Sequence, residues 1–155
     1  MQRVRQQRFL IITQGYENVR VSLVDGDPTI RRARQIMLRS EQYDVRSYST
    51  CAALLADPVS RDYPCIVLDV GMQGINGLDL LRQMRATGWR GTGILLDQDF
   101  PTEALVQEAH RHGDRVFDHG IGDRALITAI SASVERAENS HHPTLARCVK
   151  SEAGA

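Results

Sequence analysis

Four short apolar runs in this chain stop on a carboxylate. "VRVSLVD" ends at Asp25, "CIVLD" at Asp69, "GTGILLD" at Asp97, and "DRVFD" at Asp118 with His119 behind it. Strand-like runs that each deliver an acid into a loop point to a chemical site at the mouth of a sheet. Carboxylates gathered there repel one another. At about 4 Å and an effective dielectric near 20, each pair costs on the order of 4 kcal/mol. Such a cluster survives by protonation, by a cationic side chain, or by a hard cation with oxygen ligands. Two carboxylates and a backbone carbonyl suit Mg²⁺, which keeps several waters. His119 is a protonatable group at the same level. Gly71, Gly74 and Gly77 follow Asp69, but the spacing is not GxGxxG and the preceding acid repels anions, which argues against a nucleotide loop.

The elements between these acids must position them. The run 19–25 reads as a buried strand. Asp27, Pro28 and the periodic Ile30, Ala33, Arg34, Met37 and Leu38 read as a capped amphipathic helix. A second strand is expected over 43–49 and a short helix over 50–57, stopping before Pro58. The third strand is "CIVLD", and the helix after it spans 77–88 with Asn76 as cap and Gly88 as stop. A fourth strand covers 91–97, and a helix over 101–113 opens at Pro101 and closes at Gly113. A weak fifth strand (114–118) and a last helix (123–137) complete the series. This alternation predicts βαβ units and a parallel sheet with right-handed crossovers. Ligands of such sheets bind beyond the carboxyl ends of the strands, at the topological switch point, where the first and third strands are neighbours. That brings Asp25 and Asp69 together, with Asp27 close by. The expected core contains Leu23, Val24, Ile66, Val67, Leu68, Ile94, Leu95, Leu96, Ile127 and Ile130.

Composition bounds the rest. The chain has 155 residues, 42% hydrophobic and 25% charged, with a formal net charge of zero. That suits one globular domain and gives no global field for nucleic acid or an anionic membrane. Lys150 is the only lysine, and every other basic residue is arginine, histidine aside. Cys51, Cys65 and Cys148 form no CxxC pair, so neither a disulfide framework nor a zinc site is expected, and Cys65 reads as a core residue. No run approaches a membrane span, and Phe9–Ile12 is too short for a secretory segment, so a cytoplasmic setting is expected. Residues 1–18 read as an N-terminal extension and 139–155 as a mobile tail in which His141 and His142 are a solvated pair.

Over residues 19–138 the chain resembles the receiver domains of two-component response regulators. The resemblance rests on Asp25, Asp69 and the following "DVGMQGING", in which Asp69, Met72, Asn76 and Gly77 match the family's spacing. It implies a doubly wound (βα)5 α/β fold, flavodoxin-like, with sheet order 2-1-3-4-5. It implies that Asp69 accepts a phosphoryl group from the phosphohistidine of a histidine kinase or phosphotransfer protein. A weakly held Mg²⁺ would lie at Asp25, Asp69 and the backbone carbonyl of Gly71, with Asp27 as a further candidate. Such a chain would be a stand-alone signalling module and not an enzyme. Its output would be a downstream protein contact, or a homodimer, through the fourth helix, fifth strand and fifth helix. The departures bear on the chemistry. Gly26 stands where receivers carry a second acid, Asp97 where they carry a hydroxyl, and His119 and Gly120 where they carry lysine and proline. The alternative is therefore a pseudo-receiver, an interaction module without phosphoryl switching. A metal-dependent phosphate-ester enzyme ranks last, because no second-metal cluster or basic phosphate clamp is visible at the strand ends.

Overall fold

Apolar runs with β-branched Val and Ile among them, continuous in the central strands, build β1 (Arg20–Val24), β2 (Asp44–Tyr48), β3 (Cys65–Asp69), β4 (Thr92–Asp97) and β5 (Arg115–Asp118). The computed structural model describes residues 18–69, 77–97 and 102–140 of the chain. All the strands pair in parallel, in the order β2-β1-β3-β4-β5. Between them run α1 (Pro28–Ser40), α2 (Cys51–Ala56), α3 (Gly77–Ala86) and α4 (Glu103–Arg111), and α5 (Asp123–Ser140) follows β5. The expected sheet order and helix count are both observed.

Period-two alternation sorts the strand side chains into two buried layers. Val21, Leu23, Val45, Cys65, Val67, Ile94 and Leu96 pack on one face with Leu38 of α1 and with Leu126, Ala129 and Ile130 of α5. Val24, Tyr48, Ile66, Leu68 and Leu95 pack on the other with residues of α2, α3 and α4. Full burial of one such leucine is worth about 1.5–3 kcal/mol, so the registers are strongly held: a slip of one residue would exchange the two layers. The expected core holds with one correction. Leu126 is buried, and Ile127 packs against the core only in part. The α5 stripe runs through Leu126, Ala129, Ile130 and Ser133, and Ile127 sits at its margin.

The element ends follow local chemistry. The Asp27 carboxylate accepts from Thr29 N at 2.9 Å and Ile30 N at 3.2 Å and caps α1, with Pro28 in the first turn. Thr102 caps α4, which therefore starts at Glu103; Pro101 lies outside the described residues, as does Asn76. Gly88 and Gly113 follow α3 and α4 with φ of +95° and +77°, a conformation that costs a side chain dearly. After α2 a 3₁₀ turn at Pro58–Asp62, unread in the sequence, carries the chain to β3. Residues 1–17 of the expected extension and 141–155 of the expected tail, with His141, His142, Cys148 and Lys150, also lie outside the described residues, whereas Asn139 and Ser140, expected in the tail, close α5.

A second feature absent from the sequence reading stands at the amino end of the sheet. Asp114 is buried, and Arg85 of α3 grips both of its oxygens at 2.6 and 2.8 Å. The same carboxylate accepts from Gly93 N at 2.8 Å. The guanidinium carbon of Arg85 lies 5.5 Å from the Trp89 ring centre, and Trp89 Nε1 donates to Tyr63 O at 2.8 Å. Burial, with the Asp114 charge adding to it, pushes the Cys65 thiol up to about 12, which keeps it protonated.

Candidate functional site at the carboxyl end of the sheet

The alternation that builds the core also builds the site. Leu23 and Val67 are register partners on the α1/α5 face. Two residues further on, the same face presents Asp25 and Asp69. Leu96 pairs with Phe117 on that face, and two residues beyond Phe117 stands His119. Asp25 and Asp69 are buried, at 2% and 4% exposure. His119 Nδ1 approaches Asp69 Oδ2 to 2.9 Å. Nδ1 nevertheless makes no well-directed hydrogen bond, so the contact is close but off-axis. Asp97 belongs to the alternate face of β4, that of Leu95. Its carbonyl accepts from His119 N at 2.7 Å, and it pairs in register with Asp118. The strand geometry thus places Asp25, Asp69 and His119 on one face and carries Asp97 to the other.

Sequence reasoning missed the cation. Arg34 NH1 donates to Asp25 Oδ2 at 2.9 Å, and Arg34 NH2 donates to the His119 carbonyl at 3.1 Å. Its side chain is only 11% exposed. One turn earlier, Arg31 NH1 donates to the carbonyl of Asp25 at 2.8 Å. A signal was present. Ile30, Arg34 and Leu38 repeat at i, i+4 and i+8, so Arg34 lies on the inward stripe of α1, where an arginine must find a partner. Ala33, from the same expected stripe, is exposed. Burial raises the Asp25 carboxyl above its ordinary value. The Asp27 N–H at 2.9 Å opposes that, the Asp69 charge adds to it, and Arg34 and His119 oppose it again.

The fit to a divalent cation can be judged from these contacts. One Asp25 oxygen takes the Asp27 N–H, the other takes Arg34, and its carbonyl takes Arg31. Asp69 Oδ2 faces His119, Gly26 has no side-chain oxygen, and Asp27 is turned into the cap of α1. Gly71 lies outside the described residues. Among the described residues no three His, Cys, Asp or Glu side chains are grouped to hold a metal. A hard dication needs oxygens that are not already held by fixed donors. As arranged, both Asp25 side-chain oxygens and its carbonyl are so held, and Asp25 does not fit one.

Residues 21–117 match the model of the response regulator receiver domain family. The transcriptional regulatory protein FixJ of Azorhizobium caulinodans is 33% identical over 124 residues, covering 77% of this chain and 57% of the relative. The transcriptional regulatory protein TdiR of Thauera aromatica is 31% identical over 114 residues, covering 74% and 50%. The chain spans about half the length of these curated relatives. Among solved structures, the signal receiver domain of a LuxO repressor protein from Vibrio parahaemolyticus superposes with a TM-score of 0.71 at 18% identity, covering 80% of this chain and 95% of that one. The FixJ-N crystal structure superposes with a TM-score of 0.64 at 24% identity, covering 76% and 94%. Both likenesses are of fold. Among the described residues no helix is long and apolar enough to cross a membrane.

Proposed function

Because the chain belongs to the receiver domain family of two-component response regulators, we propose that Asp69 is its phosphoacceptor, charged by a histidine kinase or phosphotransfer protein. The observation that carries this reading is the position of Asp69. It closes β3 at the switch point, beside Asp25 and 2.9 Å from His119. In the reaction an Asp69 carboxylate oxygen attacks phosphorus, the P–N bond to the donor imidazole breaks, and the imidazole leaves with its electron pair. Arg34 supplies positive charge to meet the incoming phosphoryl group, which brings charge of order −1.5 to −2, and the His119 imidazole stands beside the attacking carboxylate. The output is a protein contact, to a downstream partner or a second copy, through the face of α4, β5 and α5. The test is incubation with a small phosphodonor, with and without Mg²⁺, followed by intact mass. One phosphoryl group is expected on the natural chain and none on Asp69→Asn. No gain under either condition overturns the acceptor reading.

A second reading has its own support. His119 and Arg34 already engage the two carboxylates in the unmodified protein, as a pseudo-receiver held in one state would require. A phosphorylated chain whose thermal midpoint and oligomeric state match those of the unmodified chain would favour this second reading.

A further inference from the structure

We propose that Arg34 is a resident cation that takes the place of a divalent metal at this carboxylate site and keeps Mg²⁺ out of it. The proposal concerns the unmodified protein and stands whether or not Asp69 is phosphorylated. Asp25 and Asp69 continue adjacent, hydrogen-bonded strands on one face of the sheet and are both buried. Two carboxylates so placed need a counter-charge wherever both ionise. The strand ends supply only His119, and no lysine lies anywhere between residues 1 and 149. The counter-charge comes from the helix instead. Arg34 reaches from the inward stripe of α1 with one guanidinium nitrogen on Asp25 and another on the His119 carbonyl, so one planar group links the end of β1 to the chain after β5. That bond holds the backbone of the residue whose ring faces Asp69. The guanidinium fork suits this double contact, whereas an ammonium would act as a point charge.

Two neighbouring features agree. Gly26 offers no acid at the position after Asp25, and the next acid, Asp27, is used as the α1 cap. The donor set for a metal is thus reduced at the place where a permanent cation has been added. Arg31 is different in kind, because it touches only the backbone carbonyl of Asp25 and neutralises neither carboxylate directly.

The experiment is a Mg²⁺ titration of the full chain, of Arg34→Gln and of Arg31→Gln, read by thermal midpoint and by amide chemical shifts around Asp25 and Asp69. The natural chain should show neither a rise in midpoint nor shifts confined to those residues. Arg34→Gln should start less stable, regain its midpoint as Mg²⁺ is added, and bind at least about tenfold more tightly than the natural chain, equivalent to about 1.4 kcal/mol. Arg31→Gln should resemble the natural chain. If Arg34→Gln does not fold without metal, folding on addition of Mg²⁺, followed by circular dichroism, is the supporting result. Arg34→Lys then serves as the folded variant, expected to bind Mg²⁺ between the two extremes. Tight Mg²⁺ binding at Asp25 and Asp69 in the natural chain overturns the proposal. Equal gains in Arg31→Gln and Arg34→Gln also overturn it, because general loss of positive charge would then explain both. So does the absence of any gain in Arg34→Gln and in Arg34→Lys.

Discussion

The two ends of this sheet each bury an aspartate against an arginine from a helix, and they do so in different ways. At the amino end Asp114 meets Arg85 through two short bonds, takes a backbone N–H from Gly93, and lies beside a guanidinium stacked on Trp89. Both carboxylate oxygens there are engaged by fixed partners. At the carboxyl end Asp25 meets Arg34 through one bond, and a second carboxylate, Asp69, stands nearby with an off-axis imidazole. The first arrangement is a closed staple between α3 and the chain entering β5. The second leaves two carboxylates met by separable partners, Arg34 and His119. Fixed bidentate pairing suits a structural role, and a divisible charge balance suits a site that must accept another group.

The largest expected effect tests the staple. Arg85→Ala leaves the Asp114 carboxylate buried with a single backbone donor. Loss of one partner of a buried ion pair costs about 3–5 kcal/mol, and the value here should fall near the lower limit because Arg85 is 24% exposed. Urea denaturation measures it. A loss under about 1 kcal/mol would show that the amino end is no more tightly bound than an exposed pair. Trp89→Phe should follow, at about 1–3 kcal/mol, because it orphans the buried Tyr63 carbonyl that Nε1 now satisfies. Arg34→Gln should cost less than Arg85→Ala, at about 1–2 kcal/mol. It removes one bond to the His119 carbonyl and one to Asp25, which keeps the Asp27 N–H at 2.9 Å. If Arg34→Gln proves the more damaging of the two arginine changes, the carboxyl end is the true staple and the contrast inverts.

The two ends also differ in how far they could be read from sequence. The acids at the strand ends were legible, because apolar runs of strand length that stop on Asp are visible in one dimension and a parallel sheet brings their ends together. The Asp25–Asp69 pairing followed from that pattern and the switch-point rule, while the full sheet order came from the resemblance to receiver domains. The cations were not legible. Arg34 contacts His119 across 85 positions and Arg85 contacts Asp114 across 29, so neither partner is visible in the local sequence. An arginine on a helix is usually solvated. Only its place on the inward stripe, between Ile30 and Leu38, distinguishes Arg34. Asp114 opened a run read as a strand, and its burial depends on Gly93 and Arg85, which the fold alone brings to it. The side to which Asp97 points was decided by strand register, which sets the pleat and which a residue-by-residue match does not contain.

A more exposed pair of the same chemistry calibrates both ends. Asp57 accepts from Tyr48 Oη at 2.8 Å, from Arg46 NH1 at 2.9 Å and from Val59 N at 3.1 Å, at the edge of the sheet, where Arg46 is exposed and Asp57 is partly buried. The Tyr48 hydroxyl is the chief cause that holds the Asp57 carboxyl below its ordinary value. Partial burial opposes it, and Val59 N–H and Arg46 reinforce it. A carboxyl depressed in the folded state contributes stability above its unfolded value of 3.8, and that contribution is lost as pH falls through the lower folded value. The natural chain should therefore lose stability in acid more steeply than Asp57→Asn, and the two curves should converge at the lowest pH. Tyr48→Phe should flatten the acid limb more than Arg46→Ala, because an exposed arginine is screened by water and salt. Unfolding midpoints followed from neutral pH into acid measure both slopes. If Arg46→Ala flattens the limb more than Tyr48→Phe, charge outweighs hydrogen bonding even at the open edge. The weaker single bond between Arg34 and Asp25 would then be worth more than its geometry suggests, and the distance between the two ends of the sheet would narrow.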